Sequence, residues 1–309
     1  MGKAERNRQQ SAREKIAAQQ ALEKRADQRR KGLIAGGSIV VVLAVVVALI
    51  VVKSLGGSPA KASGPTTASA TVAAAVGRDI ASVPAATLDK VAAGPTYPAT
   101  GSVYPHAIRT IRPAGAVLTS NGKPEVVYVG AEYCPFCAAE RWALSVALSR
   151  FGTFSGLHLI HSSSTDTDPN TPTVSYYKAT YTSKYVAFAT TEAQKVDKTP
   201  LQPVTTLDKS LMAKYDAPPY VPTSNYDDSF PFVDFGNRYV IDGASYDPML
   251  LANLTWQQIG ADLANPKSTV GQAIDATANR ITAAICTITN HQPGSVCTST
   301  GVTSASGSI

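Results

Sequence analysis

The eight residues Gly130-Ala131-Glu132-Tyr133-Cys134-Pro135-Phe136-Cys137 restrict the folds open to this chain more than any other stretch. They follow the apolar run Val126-Val127-Tyr128-Val129 and lead into Ala138-Ala139-Glu140-Arg141-Trp142-Ala143-Leu144, so the two cysteines stand where a strand ends and a helix begins. Backbone N–H groups at a helix N-terminus lack partners and the dipole is positive there, which stabilises a thiolate over a thiol. Pro135 suits the first helical turn, where its missing N–H costs nothing. The chemistry predicted is thiol–disulfide exchange. Cys134 is then the exposed nucleophile, and Cys137, one turn into the helix, is the buried resolving thiol. Phe136 between them carries no charge and cannot act as a cationic neighbour would.

Around this centre the spacing predicts a helix from Pro135 to about Phe151, with Phe136, Ala143, Leu144, Ala147, Leu148 and Phe151 on one stripe. Gly152 and Gly156 end it. Leu157 to Ser162 alternates as a second strand, completing a right-handed strand–helix–strand unit. Thr173 to Thr191, rich in Tyr, Val, Thr and Phe, reads as a hairpin or irregular aromatic segment, and Pro203 to Tyr215 as a helix. Two alternating runs flanking Gly236-Asn237 mark a β-hairpin between Ser229 and Gly243. Helices are expected over Asp247–Ala264 and Ser268–Asn290, and a short one over Ala85–Val91 after Ser82-Val83-Pro84.

The ends differ in kind. Ten of the 28 Lys/Arg and four of the 22 Asp/Glu lie in residues 1–31, leaving 18 of each for the remainder. The basic character therefore belongs to the tail alone, and a nucleic-acid partner is not indicated. Leu33 to Val52 is uncharged and rich in Val, Ile, Leu and Ala, the length a helix needs to cross a bilayer. The Lys/Arg excess before it puts the N-terminus in the cytoplasm and the rest outside the cell membrane. A cleaved signal peptide is the rival, with Ala60-Lys61-Ala62 as its small-x-small site, but the long apolar run favours an uncleaved anchor. The expected organisation is a basic tail (1–32), a transmembrane helix (33–52), a flexible linker (53–79), an extracytoplasmic domain (80–297) and a disordered tail (298–309).

All four cysteines follow the apolar run and so fall in an oxidising compartment. Cys286 and Cys297, with ten residues between them that include Gln292-Pro293-Gly294, read as a structural disulfide. Zinc prefers two closely spaced pairs, which the wide second pair does not provide, and His158 and His161 are weak substitutes. No metal and no cofactor is implied, although two thiolates could carry Cu(I).

Val126 to Leu148, with Cys134-Pro135-Phe136-Cys137 at its turn, resembles the active-site strand and helix of the thioredoxin superfamily. The motif is most similar to glutaredoxins, and the setting resembles DsbA-type oxidoreductases. The pattern from Ser82-Val83-Pro84 to Cys297, with Glu132-Tyr133-Cys134 and Arg141-Trp142, also resembles a membrane-anchored prokaryotic family known only as a domain of unknown function. The resemblance implies an α/β fold, a thioredoxin-like central mixed sheet flanked by helices, preceded by a single transmembrane helix. It implies a cis-proline beside the sulfurs, a role that falls on Pro231. Thioredoxins carry a buried carboxylate six residues before the first cysteine, where this chain has Tyr128, so Glu132 and Glu140 become the candidates for proton transfer. The distance from Cys137 to Pro231 implies an insertion over 163–225, its tyrosines lining a groove or covering the sheet.

The function expected is a membrane-anchored oxidoreductase of exported protein thiols and disulfides. Its partners would be the lipid bilayer and a membrane redox protein, either a quinone-linked oxidase or a transmembrane electron donor. The alternatives are a redox-inactive binding or assembly module and a Cu(I)/Zn(II) metallochaperone.

Overall fold

A computed structural model describes residues 69–94, 108–220 and 230–309. The expected basic tail, membrane span and first part of the linker lie outside the described residues. Among the described residues no helix is long and apolar enough to cross a membrane.

The apolar run predicted as the central strand is β3 (Lys123–Gly130), at the heart of a mixed six-stranded sheet. Strand β8 (Ala187–Glu192) lies parallel to it on one side, and β9 (Phe232–Phe235) antiparallel on the other. Beyond β9 come β10 (Tyr239–Asp242) and β1 (Ile108–Thr110), each antiparallel to its neighbour. The short β2 (Thr119–Ser120) folds back on the start of β3 through Asn121-Gly122, both at positive φ. Side chains alternate across a strand, so Val126 and Tyr128 face one core and Val127 and Val129 the other. The hairpin repeats the pattern, with Val233, Phe235 and Ile241 on the first side and Phe232 and Val240 on the second.

The first face is covered by α3 (Pro135–Ser149) and α6 (Thr269–Ile288), and the second by α4 (Thr206–Tyr215) through Leu211, Met212 and Tyr215. Helix α3 follows β3 directly, which sets the cysteines at the C-terminal end of the central strand. It is buried on nearly every side rather than along one stripe, Glu140, Arg141 and Ser145 included.

Several expectations are corrected. The strand over Leu157–Ser162 forms, as β5 (His158–His161), but pairs with β6 (Pro172–Ser175) in a separate two-stranded sheet. The parallel partner of β3 is β8, from the segment read as a hairpin or irregular piece. The physical reason is that β5 has a His at each end, whereas β8 offers Phe188 to one core and Ala189 to the other. The crossover from β3 to β8 therefore holds α3 and both small sheets, the second pairing β4 (Gly152–Ser155) with β7 (Thr180–Ser183). Its aromatic residues cover the sheet: Tyr176 stands edge-on to Tyr128 at 5.1 Å, and Phe154 packs against Tyr176, Tyr181 and Phe188.

The linker expected to run to residue 79 ends in a helix, α1 (Ala70–Ala81), capped by Ser69. Its alanines supply helix propensity, and Val76 and Ile80, four apart, are buried in the main core. The C-terminal tail expected to be disordered also forms a helix, α8 (Thr300–Ser306), which buries Val302 and Ala305. The helix expected over Asp247–Ala264 is split into a 3-10 turn (Pro248–Leu251) and α5 (Trp256–Asp262). Asn253 breaks it at φ 62°, and a capping box of Thr255 and Gln258 starts the second piece. The Asp79 side chain of α1 packs on Gly260 of α5, so that a Cβ there would have to displace its carboxylate. The short helix α2 (Ala85–Val91) has Pro84 at its N-cap, which offers no side-chain acceptor, and the Ser82 hydroxyl donates to Arg78 O at the end of α1.

Cys286 on α6 is bonded to Cys297 at the end of the single turn α7 (Gly294–Cys297), with the two Cα atoms 5.6 Å apart. Closing a loop of this length restricts the unfolded chain. Replacing both cysteines by Ala is expected to lower stability by roughly 3 kcal/mol, read as a shift of the urea midpoint at unchanged slope. A loss below about 1 kcal/mol would show that α7 is held without the bond.

Candidate functional site

Cys134 is the N-cap of α3, with Pro135 as its first helical residue. The Cys134 Sγ accepts the N–H of Cys137 at 3.3 Å, which satisfies one of the orphan donors of the helix start. The turn is fixed from below, where Cys134 N donates to Ala131 O at 3.2 Å. Both cysteines are free thiols. Cys137 is fully buried as expected, but Cys134, expected to be exposed, shows only 5 % of its surface. Tyr133, Phe136 and Phe230 pack around the pair and account for the difference. The Cys134 thiol also lies 3.6 Å from the carbonyl oxygen of Phe230, next to the cis Phe230–Pro231 bond. Pro231, the proline expected beside the sulfurs, is thus one residue beyond the carbonyl that Cys134 meets.

The two sulfurs are electrostatically unlike. Burial opposes ionisation of Cys134, but the hydrogen bonds of the Cys137 thiol and N–H, with the charge of Arg141, outweigh it and leave its pKa lowered. Burial pushes Cys137 well up, and its thiol donating to Cys134 pushes it further. Of the two thiols Cys134 is therefore the one that ionises more readily, and Cys137 the one that keeps its proton.

Arg141, one helical turn beyond Cys137, is completely buried. Its Nε and Nη2 donate to the two oxygens of Glu192 at 2.9 and 2.8 Å, and Nη2 also donates to Ala131 O at 2.7 Å. Burial alone would lower the pKa of Arg141, but Glu192 more than compensates and keeps it protonated. Glu192 ends β8 in register with Gly130, so the parallel pairing delivers it beneath the site. Sequence reasoning missed this pair. Arg141, set between Ala138-Ala139 and Trp142-Ala143-Leu144 on a helix expected to cover the sheet, was the available signal, since a charge on a buried helix needs a partner.

Tyr128, at the place the resemblance reserves for a carboxylate, is fully buried, and its hydroxyl has no hydrogen-bond partner among the described residues. The two proton-transfer candidates have different surroundings. Glu132 accepts from the Ser175 hydroxyl at 2.7 Å and lies 3.7 Å from His158. Burial raises its pKa, yet His158, Ser175 and Arg141 outweigh that and hold the carboxyl below the usual range. It lines an open cleft of about 690 Å³ with His158, Ser163, Tyr177, Lys195 and Asp197. The cleft adjoins the cysteine turn, because Ser163 N donates to Tyr133 O at 2.8 Å. Glu140 is fully buried. One of its oxygens accepts Ser245 N at 2.9 Å, and the other has no hydrogen-bond partner among the described residues. Burial pushes its pKa up to about 7.

Asp234 and Asp275 are raised in the same way, chiefly by burial, to about 7 and about 8. An acid with a raised pKa in the folded state favours folding while protonated. That contribution is complete below the unfolded values of 3.8 to 4.5 and is lost as the pH climbs through 7 and 8. The melting temperature is therefore expected to fall between pH 5 and pH 8.5, and Glu140→Gln to flatten the fall. A melting temperature that climbs over this range would contradict it.

Among the described residues, no three His, Cys, Asp or Glu side chains are grouped to hold a metal ion. Fold and site together define a mixed α/β domain with a buried dithiol at a strand-to-helix turn. The family model described as a domain of unknown function (DUF929) matches residues 112–287, and the chain belongs to that family. No curated protein and no solved structure matches it.

Proposed function

We propose that this protein is a membrane-anchored, thioredoxin-like thiol–disulfide oxidoreductase acting outside the cell membrane on disulfides of exported proteins. The observation that carries the reading is the asymmetric thiol pair: Cys134 capping α3 and accepting the Cys137 N–H, with its pKa lowered, and Cys137 fully buried behind it, with its pKa raised. Topology supports it too. The mixed sheet β8-β3-β9-β10, flanked by α3 and α6 and ending in the hairpin after Pro231, is compatible with the central mixed sheet flanked by helices that the thioredoxin resemblance implies. The apolar Leu33–Val52 and the basic residues before it support the anchor and its orientation.

In the exchange, a thiolate attacks one sulfur of a disulfide and expels the other as thiolate. With the pair reduced, Cys134 attacks a substrate disulfide and forms a mixed disulfide. Cys137, losing its proton, then attacks Cys134 and releases the reduced substrate, and the reverse sequence oxidises a substrate dithiol. The Phe230 carbonyl, just before Pro231, edges the Cys134 sulfur at 3.6 Å.

The full chain in detergent is expected to catalyse disulfide exchange between glutathione and an unfolded protein substrate. A rate no higher than the uncatalysed one would refute the proposal. The near-complete burial of Cys134 favours a second reading, a redox-inert binding module, and the same assay separates the two.

A further inference from the structure

We propose that the buried Arg141–Glu192 pair sets the poise of the couple, with Arg141 the positioning residue that stabilises the reduced pair and so makes the site an acceptor of electrons from substrate dithiols. This rests on the oxidoreductase reading and adds a direction to it.

The geometry carries the argument. Arg141 grips the cysteine turn through Ala131 O, the same carbonyl that accepts Cys134 N. Two of its nitrogens are committed to Glu192, while Nη1 is buried with no hydrogen-bond partner among the described residues. The guanidinium also lies 5.9 Å from the Tyr128 ring centroid, so it is enclosed by protein rather than solvent. A charge so enclosed is poorly screened and acts strongly on neighbouring charges. The titratable groups around it are Glu192 on β8, Tyr128 on β3, Cys134 and Cys137 at the start of its own helix, and Glu132 and Tyr176 from the turn and the crossover. Of these, Cys134 is the group whose charge changes with redox state. A buried cation that favours its thiolate favours the reduced form, and a couple with a stabilised reduced form is an oxidant.

The balance follows. A substrate thiolate attacks Cys134 of the disulfide, and the Cys134–Cys137 bond breaks as Cys137 leaves and takes a proton. The second substrate thiolate then attacks the substrate sulfur of the mixed disulfide and releases Cys134 as thiolate. The substrate gains a disulfide and loses two electrons, the pair gains them, and a quinone-linked membrane oxidase takes them onward.

The test uses the full chain in detergent, with two readouts: the pH midpoint of Cys134 alkylation by iodoacetamide, and the equilibrium constant with glutathione. Glu192→Gln removes the compensating anion and is expected to lower the midpoint and make the couple more oxidising. The double variant Arg141→Met/Glu192→Met is expected to raise the midpoint and shift the equilibrium about tenfold toward the disulfide, equivalent to about 30 mV. Arg141→Lys is expected to stay close to the parent. Folded variants whose midpoints and constants stay within twofold of the parent would overturn the proposal, as would a Glu192→Gln shift of opposite sign. Should the double variant fail to fold, the sign of the Glu192→Gln shift decides. An unmodified chain that does not exchange with glutathione would refute the oxidoreductase reading, while the alkylation midpoint would still test Arg141.

Discussion

Replacing Cys134 by Ser is expected to reduce disulfide exchange to the uncatalysed rate, whereas Cys137→Ser is expected to stop turnover and leave partner proteins covalently attached through Cys134. The two sulfurs differ in position and environment. Cys134 caps the helix and accepts the Cys137 N–H, while Cys137 is fully enclosed with its thiol held protonated. Only Cys134 is therefore suited to meet a foreign sulfur. Without the resolving thiol the mixed disulfide has no internal route to breakdown. Non-reducing gels of membranes carrying Cys137→Ser should show adducts that dithiothreitol removes and that vanish when Cys134 is also replaced. Equal trapping by the two single variants would contradict the assignment of roles.

The second large effect is structural. Trp142→Ala is expected to cost about 3–5 kcal/mol, measured by urea unfolding of the chain. Trp142 is fully buried between α3 and the crossover, and its indole N–H donates to Pro172 O at 2.9 Å. Its removal opens a cavity and strips a buried carbonyl of its donor. The loss falls where β6 is fastened to α3, since Thr173 of that strand donates to Ala138 O at 2.8 Å. Ser175, which donates to Glu132, belongs to the same strand, so the cleft wall should loosen as well. Trp142→Phe, which keeps most of the volume, should cost clearly less. A Trp142→Ala protein as stable as the parent would mean that this packing is not structural.

The parts legible in the sequence were those governed by local chemistry. The strand–turn–helix around Cys134 and Cys137, the Gly236-Asn237 hairpin and the long α6 each carry a period or a turn signal that tertiary context did not override. The disulfide was legible from spacing in the same way. What could not be read depended on distant partners. Ala70–Ala81 carries only Val72, Val76 and Ile80 among mostly small residues, next to a stretch of like composition, and α8 is small and polar. Both form because α3, α5 and α6 provide surfaces for Val76, Ile80, Val302 and Ala305. The parallel partner of β3 was misassigned because Leu157–Ser162 and Ala187–Glu192 are equally short, and only the two cores distinguish them. Of the buried ion pair only half was legible, an Arg on a buried helix that needs a partner. Arg141 and Glu192 are 51 residues apart, and nothing in either neighbourhood names the other.

The most direct measurement is a redox titration of Cys134/Cys137 against glutathione in the full chain, with Cys286–Cys297 left intact and the two pairs followed separately by alkylation and mass spectrometry. The account gives the Cys134/Cys137 couple a potential within the range of catalytic dithiols, about −270 to −120 mV, and toward its oxidising end. A potential below about −300 mV, that of a structural disulfide, would contradict it.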